Sequence, residues 1–256
     1  MKLLVNFATP DFFNAQQFNR QTAIQVGNFD EVFCANLNLI DSQFKSNHQT
    51  ILEQARGAGY WLWKPYFILQ ALKQSADGDL LMYTDSASHF IHSAAPLLAL
   101  PRIFGQDIIP FELELLESQW TKRDAFVYMD ADQRGFENTR QFLASFIVIQ
   151  KSAFSVQFIE QYLHYCTNPN ILTDLDNICG LPNYTDFASH RHDQSVFSLL
   201  CKKYGLQGFR DPSQWGNGRI LEYYNADYPQ ILEHTRQKSP KQAKLSYKMK
   251  RFFFPK

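Results

Sequence analysis

Residues 57–88 read GAGYWLWKPYFILQALKQSADGDLLMYTDSAS, and they contain the clearest helix and strand signals of the chain. Pro65 predicts the first position of a helix, where its missing N–H would be unpaired in any case. The apolar run Leu80–Tyr83 predicts a buried strand, and Asp85 stands at its end. Open α/β sheets bind ligands in the crevice outside the carboxyl ends of their strands. We therefore predict that Asp85 lies at the centre of the chemistry.

Strands and helices alternate on both sides of this stretch. Short apolar runs at Leu3–Phe7 and Glu31–Ala35 predict strands, and Asn14–Val26 predicts the helix between them. Leu143–Ile149 is almost continuously apolar, which is typical of a central strand covered on both faces. A strand-helix-strand order favours parallel strands, and a chain of 256 residues suits one domain. The sequence therefore predicts an α/β fold: a single domain with a mixed, mostly parallel central sheet and helices on both faces.

The composition argues against several classes of protein. The 25 basic and 25 acidic residues balance, so no net field attracts a nucleic acid. The four cysteines lie far apart and form no C-x-x-C pair, which is typical of reduced thiols in the cytoplasm. The apolar run at the start is too short for a signal peptide, and no segment approaches the ~20 apolar residues of a membrane span. We therefore expect a cytoplasmic protein that is soluble or peripheral.

The composition changes sharply near the end of the chain. Lys238–Lys256 contains seven basic residues and no acidic one, and Phe252–Phe254 form an aromatic run. Such a tail can lie on an anionic membrane surface, where each basic residue contributes roughly 1 kcal/mol. The alternative is a solvated tail without a partner. We predict two segments, a globular domain of residues 1–235 and a basic aromatic tail of residues 236–256.

Two places offer carboxylates to a divalent cation such as Mn²⁺ or Mg²⁺. Asp85 stands at a strand end, where carboxylates hold cations that neutralise the charge of a phosphate ligand. The alternative for Asp85 is an ordinary turn residue. Asp130 and Asp132 form a literal D-x-D after the strand-like run Phe126–Met129, and the alternative there is a solvated loop. Asp85 is therefore the predicted metal ligand, with Asp130 and Asp132 as the alternative.

The cluster HRHDQS, residues 190–195, begins the clearest predicted helix. Helix N-termini attract phosphate because their first N–H groups are free and carry a partial positive charge. His190 and His192 have imidazoles that can ligate a metal or balance phosphate charge. Asp193 is a candidate general base, with a helix N-cap as its structural alternative. Lys64 is a candidate phosphate ligand beside Pro65, or else an ordinary surface cation.

Four segments taken together resemble a family of bacterial glycosyltransferases with the GT-A fold. The segments are GAGYWLWKPYFILQAL at 57–72, GDLLMYTDSAS at 78–88, TRQFLASFIVI at 139–149 and HRHDQSVFSLL at 190–200. The family comprises the nucleotide-diphospho-sugar transferases found in capsule and lipopolysaccharide gene clusters. The resemblance spans about residues 1 to 220 and rests on the order of the segments. It implies a GT-A fold with a Rossmann-like nucleotide-binding half at the N-terminus.

The same resemblance implies where a nucleotide-sugar donor binds. Asp85 stands at the position of the first aspartate of the family's D-x-D motif, whereas Ala87 occupies the position of the second. This chain therefore has one carboxylate where the family has two. Asp193 is the implied catalytic base, with His192 as its catalytic neighbour. The implied donor-binding residues are Asn6, Thr9, Lys64, Asp85, Ser86, Gln141, Ser145 and His190.

The activity implied is transfer of a sugar from a nucleotide-diphosphate donor to a hydroxyl group. The acceptor would be a glycan or a lipid-linked glycan of bacterial surface polysaccharide synthesis, with a divalent cation as cofactor. The basic tail would hold the enzyme at the inner face of the membrane. Two alternatives remain open from the residues. One is a non-catalytic nucleotide- or glycan-binding module recruited by its tail, and the other is a phosphohydrolase built around Asp130 and Asp132.

Overall fold

A six-stranded sheet forms the centre of the protein in a computed structural model that describes residues 1–238. The strand order is β2-β1-β3-β6-β5-β7, and β4 pairs with β8 in a separate two-stranded sheet. The strands are β1 (Lys2–Phe7), β2 (Glu31–Ala35), β3 (Leu80–Thr84), β4 (Ser88–Phe90), β5 (Ile108–Leu116), β6 (Arg140–Gln150), β7 (Phe209–Arg210) and β8 (Leu232–His234).

The central sheet is mixed, as the sequence predicts. Strand β1 runs parallel to β2 and β3, and β7 runs parallel to β5. Strand β6 runs antiparallel to both of its neighbours, β3 and β5. The predicted first, second, third and central strands all occur, with their ends displaced by three residues at most.

Helices cover both faces of this sheet. They are α1 (Phe13–Gln25), α2 (Ser42–Asn47), α3 (Gln49–Leu52), α4 (Gly57–Tyr60), α5 (Trp63–Gln74), α6 (Ala95–Phe104), α7 (Glu117–Trp120), α8 (Arg123–Tyr128), α9 (Ala153–Cys166), α10 (Pro169–Leu172) and α11 (Asp193–Lys203). Successive strand residues point to opposite faces, so Leu3 and Val5 pack with α5, α9 and α11, whereas Leu4 packs with α1 and α6. The predicted α/β class and two-sided helical cover are confirmed.

Strand β5 is the element that the sequence pattern did not reveal. Its outer half carries acidic residues, and only Ile108–Phe111 is fully buried. Its register against β6 shifts between two paired positions. Ile109 lies opposite Val148 and Phe111 lies opposite Leu143, so β5 advances by two residues where β6 advances by five. Because an irregular ladder breaks the alternation of apolar and polar residues, no period-two signal appears.

Two local predictions were wrong in type or position. The strand predicted at Phe126–Met129 is largely part of helix α8, in which Ala125 and Phe126 are buried, as is Met129 at the C-cap of that helix. Helix α5 begins at Trp63, so Pro65 is its third residue. Pro65 is tolerated there because the N–H groups of a first helical turn have no partner within the helix.

Strand β6 continues past the end of β3. Thr84 of β3 lies opposite Phe146, and the Asp85 N–H donates to the Ser145 carbonyl at 2.9 Å. The remaining residues of β6, back to Arg140, pair with β5 alone. One side of the region beyond Asp85 is therefore built by paired strands rather than by loops.

The predicted tail falls almost wholly on residues 239–256, which lie outside the described residues. The boundary between residues 235 and 236 stays a prediction. Within residues 1–238, no helix has both the length and the apolar character required to cross a bilayer.

Candidate functional site

A cavity of about 950 Å³ opens at the carboxyl ends of β1 and β3. Its walls come from residues 7–12, from parts of 55–64 and 83–87, and from residues 189–194. The paired strands β5 and β6 supply a further wall, and His234 and Arg236 complete the lining. This position matches the crevice expected at the strand ends of an open α/β sheet.

A buried lysine joins two aspartates inside the cavity. Lys64 Nζ lies 2.6 Å from Asp193 Oδ2 and 3.7 Å from Asp85 Oδ1. The side chains of Lys64 and Asp193 are only 4% and 5% exposed, whereas that of Asp85 is 29% exposed. The structure thus brings together three of the residues that the sequence singled out, and Lys64 is not a surface cation.

The three charges have different pKa shifts. Burial raises the pKa of Asp193 above its ordinary value, although the nearby Lys64 charge acts in the opposite direction. Burial also acts to raise the pKa of Asp85, but the charges of Lys64 and His234 outweigh it and leave that pKa lowered. Burial lowers the pKa of Lys64, and the two carboxylates more than compensate, so the net shift is upward. Lys64 is therefore a permanent cation, and Asp193 is the more basic carboxylate.

Two buried tyrosines fix the carboxylates. Tyr83 Oη donates to Asp85 Oδ1 at 2.8 Å, and Tyr162 Oη donates to Asp193 Oδ2 at 3.3 Å. Burial raises the pKa of both phenols well above the ordinary value, so both remain protonated donors. The sequence reading missed these residues. Tyr83 had a usable signal, since it stands two positions before Asp85 in a strand and therefore on the same face.

The N-cap interpretation of Asp193 is wrong. The N-cap of helix α11 is His192, and Asp193 is the first helical residue, with its carboxylate on Lys64. A carboxylate in the first turn is still stabilised by the positive end of the helix dipole. This position leaves Asp193 facing the cavity with no described contact to Oδ1.

His190 is held as a neutral ring. Its Nδ1 accepts from the Lys122 N–H at 3.2 Å, and its Nε2 lies 2.8 Å from the Ile171 carbonyl. Since a carbonyl only accepts, the proton resides on Nε2. Burial, aided by the charge of His192, lowers the pKa of His190 well below its ordinary value. A neutral His190 supplies no positive charge, so balancing the charge of a phosphate, the role predicted for it, would require a different residue.

His192 is the more unusual histidine. Its φ is 53°, a left-handed conformation that is uncommon for residues other than glycine. Its ring stacks on Trp61 at 5.5 Å, and Nδ1 lies 2.9 Å from the Leu172 carbonyl. Nε2 is buried and has no hydrogen-bond partner within residues 1–238. Strained residues with unpaired polar atoms concentrate at functional sites, which agrees with the catalytic prediction for His192 without testing it.

Stability should depend on pH through His190. Unfolding exposes a ring that titrates near about 6.5. Below that pH the unfolded state binds a proton that the folded state does not, so the free energy of unfolding falls by up to about 1.4 kcal/mol per pH unit. We expect the substitution His190→Gln to flatten this fall between pH 6.5 and 5, measured by urea unfolding. The comparison uses the slope of the free energy of unfolding against pH, because the hydrogen bonds lost in the variant change its stability but not this slope. If the plots for the wild type and for His190→Gln are parallel, His190 is not the group responsible.

Three arginines also line the cavity, and the predictions included none of them. Arg56 lies 3.1 Å from Asp174, Arg191 stacks 4.1 Å over the Trp120 ring, and Arg236 lies 5.9 Å over the ring of Trp215. Arg191 was visible within the HRHDQS cluster. Arg236 fell at the start of the predicted tail, where nothing in the sequence indicated that it reaches the cavity.

A left-handed turn shapes the wall beside Lys64. All residues of Gly57–Trp61 have positive φ, and three of them are not glycine. Each such residue costs roughly 1–2 kcal/mol. The turn is held by Trp63 Nε1, which donates to the Gly57 carbonyl at 2.9 Å, and the Trp63 ring stacks on Phe7 at 3.6 Å. It sets the entry of helix α5 and so the position of Lys64.

Gly59 tests the importance of this turn. Its φ is 96°, and a Cβ would lie 2.8 Å from Leu52 Cα. We expect Gly59→Ala to reduce the free energy of unfolding by about 2–4 kcal/mol, because strain and a backbone clash add. The matched control is Gly205→Ala, since Gly205 also has a positive φ of 63° but open space around a Cβ. Equal losses in chemical denaturation would show that the close approach to Leu52 does not matter.

The other predicted donor-binding residues divide into two groups. Thr9, Ser86 and Ser145 line the cavity, and Ser86 Oγ donates to the Phe7 carbonyl at 2.5 Å. Asn6 and Gln141 are fully buried and are not among the lining residues.

Both buried amides belong to internal hydrogen-bond networks. Asn6 bonds Asn19 and Gln16 at 2.7 and 3.0 Å. Gln141 accepts from Gln194 Nε2 at 2.7 Å, and Gln194 lines the cavity. Their direct contact with a donor stays a prediction, and in this structure they support residues that line the wall.

The residues around Asp85 do not form a cage for a divalent cation. Among residues 1–238 no group of three histidine, cysteine or acidic side chains is placed to hold one. Asp130 and Asp132 are exposed and lie outside the cavity lining, and Asp132 lies 2.8 Å from Arg123. Mg²⁺ and Mn²⁺ prefer several oxygen ligands, whereas Asp85 and Asp193 both lie within 4 Å of the Lys64 ammonium. A cation at Asp85 stays a prediction that this donor set does not favour.

The fold is similar to that of solved glycosyltransferases. Mouse xyloside xylosyltransferase 1 has a TM-score of 0.50 and 11% identity over 94% of this chain and 99% of that one. The bifunctional glycosyltransferase WbbM has a TM-score of 0.51 and 10% identity over 92% of this chain and 46% of that one. The chain matches no protein-family profile and no curated protein by sequence. The likeness shows the GT-A fold, which confirms the predicted architecture.

Proposed function

We propose that this protein transfers a sugar from a nucleotide-diphosphate donor to a hydroxyl group of an acceptor. The observation that carries the proposal is the placement of Asp85, Lys64 and Asp193 in one cavity at the strand ends. A GT-A fold gives that placement its context, because its solved neighbours are glycosyltransferases. Fold similarity alone does not assign a function, so the charged site must do so.

The proposed reaction needs one base and stabilisation of two charges. The bond between the anomeric carbon and the diphosphate oxygen breaks, and its electron pair leaves with the diphosphate. The acceptor oxygen forms the new bond to that carbon and loses its proton to Asp193. The raised pKa of Asp193 suits this role, because a base works best when its pKa approaches the working pH. Asp85, with a lowered pKa, stays ionised and stabilises the cation-like sugar.

The acceptor is proposed from the wall formed by β5 and β6. Leu113, Leu115 and Leu143 line the cavity there. Apolar side chains suit the ring faces of a sugar or the lipid of a linked acceptor. We therefore propose a glycan or lipid-linked acceptor. Action in bacterial surface polysaccharide synthesis, at an anionic membrane surface contacted by the tail, extends this proposal from the sequence resemblance.

The test is release of nucleoside diphosphate. The full chain is incubated with a panel of uridine, guanosine, cytidine, adenosine and thymidine diphospho-sugars, with and without oligosaccharide acceptors. A glycosyltransferase releases the diphosphate faster with an acceptor and extends that acceptor by one sugar. Release of inorganic phosphate instead would support the phosphohydrolase. Nucleotide binding without turnover, for any acceptor tried, would support the non-catalytic module.

A further inference from the structure

We infer that this cavity binds the diphosphate of its donor through its own fixed cations, without a divalent metal ion. The inference rests on the proposed function, because it concerns the same donor. Arg191 and Arg236, with Arg56 beside them, would bind the diphosphate. Lys64 would supply the positive charge that a metal ion would otherwise place beside Asp85. These residues line one cavity.

Asp85 is poorly placed to bind a divalent cation. Ala87 replaces the second carboxylate of a D-x-D, so the segment itself supplies one acidic ligand. Asp85 Oδ1 is already bonded by Tyr83 and lies 3.7 Å from the Lys64 ammonium. A divalent cation bound to this carboxylate would therefore sit beside a buried positive charge. Since like charges at short range in a buried site repel strongly, Lys64 competes with a metal rather than assisting it.

Two arginines of the cavity have no acidic partner among the described residues. Within residues 1–238, no carboxylate lies within 4 Å of the guanidinium of Arg191 or Arg236, although Arg56 pairs with Asp174. Trp120 and Trp215 support the two guanidiniums without neutralising them. The three arginines lie close enough together for their charges to interact. Burial lowers the pKa of Arg191, and the positive charges of Arg236 and Arg56 lower it further.

Two unpaired positive charges match the ligand. The diphosphate of a nucleotide sugar carries two negative charges, and guanidinium groups bind phosphate oxygens with two parallel hydrogen bonds. The cavity lining contains four basic side chains, Arg56, Lys64, Arg191 and Arg236, against three acidic ones, Asp11, Asp85 and Asp193. The two arginines without an acidic partner would also stabilise the charge that develops as the diphosphate leaves.

His192 provides an independent observation at the same place. Its side chain is 3% exposed and lines the cavity, and its buried Nε2 has no hydrogen-bond partner in the described chain, the nearby Asp174 Oδ1 lying 3.8 Å away. A buried polar nitrogen without a partner is costly unless a ligand satisfies it. Because Nδ1 faces the Leu172 carbonyl and so carries the ring proton, Nε2 is an acceptor, and a hydroxyl group of the bound nucleotide sugar would supply its partner.

The experiment is isothermal titration of the full chain with UDP, GDP, CDP, ADP and dTDP. Each titration is run in EDTA, in Mg²⁺ and in Mn²⁺. We expect at least one nucleotide to bind with a Kd that differs by less than about threefold between EDTA and either metal. Binding only with metal, or binding more than about tenfold tighter with metal, would overturn the inference but leave the proposed function standing. No binding in any buffer would overturn both.

Variants identify the residues that hold the diphosphate. In EDTA we expect Arg191→Gln and Arg236→Gln each to weaken binding by about tenfold or more, since each removes charge-assisted hydrogen bonds. The matched control is Arg102→Gln, because Arg102 is exposed on helix α6 and does not line the cavity. Unchanged affinity in both cavity variants would contradict the assignment, provided that circular dichroism shows them folded.

Discussion

Replacing Lys64 with methionine is expected to lower the free energy of unfolding by about 3–5 kcal/mol. Methionine keeps much of the length of the side chain but removes the ammonium between two carboxylates. Asp193, only 5% exposed, would then be a buried negative charge with no cation within 4 Å among residues 1–238. Chemical denaturation at pH 7.5 measures the loss, which corresponds to a fall in Tm of roughly 2–4 °C per kcal/mol for a chain of this size.

Two controls make this result specific. Lys73→Met removes a lysine from the same helix, where it forms an ion pair with Glu160 at 3.3 Å and both side chains are about half exposed. That control should cost at most about 1 kcal/mol, because exposed ion pairs contribute little. The double substitution Lys64→Met with Asp193→Asn should recover part of the loss, since it removes the unpaired charge. If Lys64→Met is no more destabilising than Lys73→Met, the buried triad does not hold this site together.

Replacing Asp193 with asparagine is expected to reduce the turnover rate of sugar transfer by about 10²–10⁴-fold, the usual contribution of a general base. Asparagine keeps the shape and can still contact Lys64 and Tyr162, but it cannot take a proton from the acceptor. Donor affinity should change much less than kcat, because the diphosphate contacts proposed above involve other residues. Steady-state kinetics with the donor and acceptor identified by the release assay would separate the two quantities.

A second aspartate of the site, Asp85, is tested in the same way, with the exposed Asp77 as the control. We expect Asp85→Asn to reduce transfer strongly as well, because it removes the ionised carboxylate beside the cation-like sugar. Asp77→Asn serves as the control, since Asp77 lies on a turn with its side chain 87% exposed. Full activity in Asp193→Asn or in Asp85→Asn would refute the roles proposed for these residues. A loss that appears only as a raised KM would instead indicate a role in binding.

The fold and the positions of the charged residues could be predicted because their signals are local. A buried strand ended by Asp85, and a helix begun near Asp193, are patterns that a few neighbouring residues determine. The ion pair between Lys64 and Asp193 has no such pattern, because it joins residues that lie 129 positions apart. Sequence reading therefore placed each residue in the site but not its partner.

Other parts of the site were missed for identifiable reasons. Arg236 reaches the cavity because β8 pairs with β4, and a three-residue strand leaves no periodic signal. Asn6 and Gln141 were predicted to contact the donor from the resemblance to the glycosyltransferase family, and in this structure both belong to buried hydrogen-bond networks. A side chain's direction depends on strand register, which the sequence determines only where the alternation is clear.

The wide separation of Lys64 and Asp193 also bears on when the cavity is completed during synthesis. When the ribosome has produced β1, β2 and β3, Lys64 and Asp85 already exist, but helix α11 does not. Until that helix docks, the cavity lacks the carboxylate that holds Lys64 at 2.6 Å, together with the histidine and arginine beside it. A nascent chain that has folded only its N-terminal half should therefore not bind nucleotide sugars. Donor binding would appear in a single late step and report that the chain has reached its native topology.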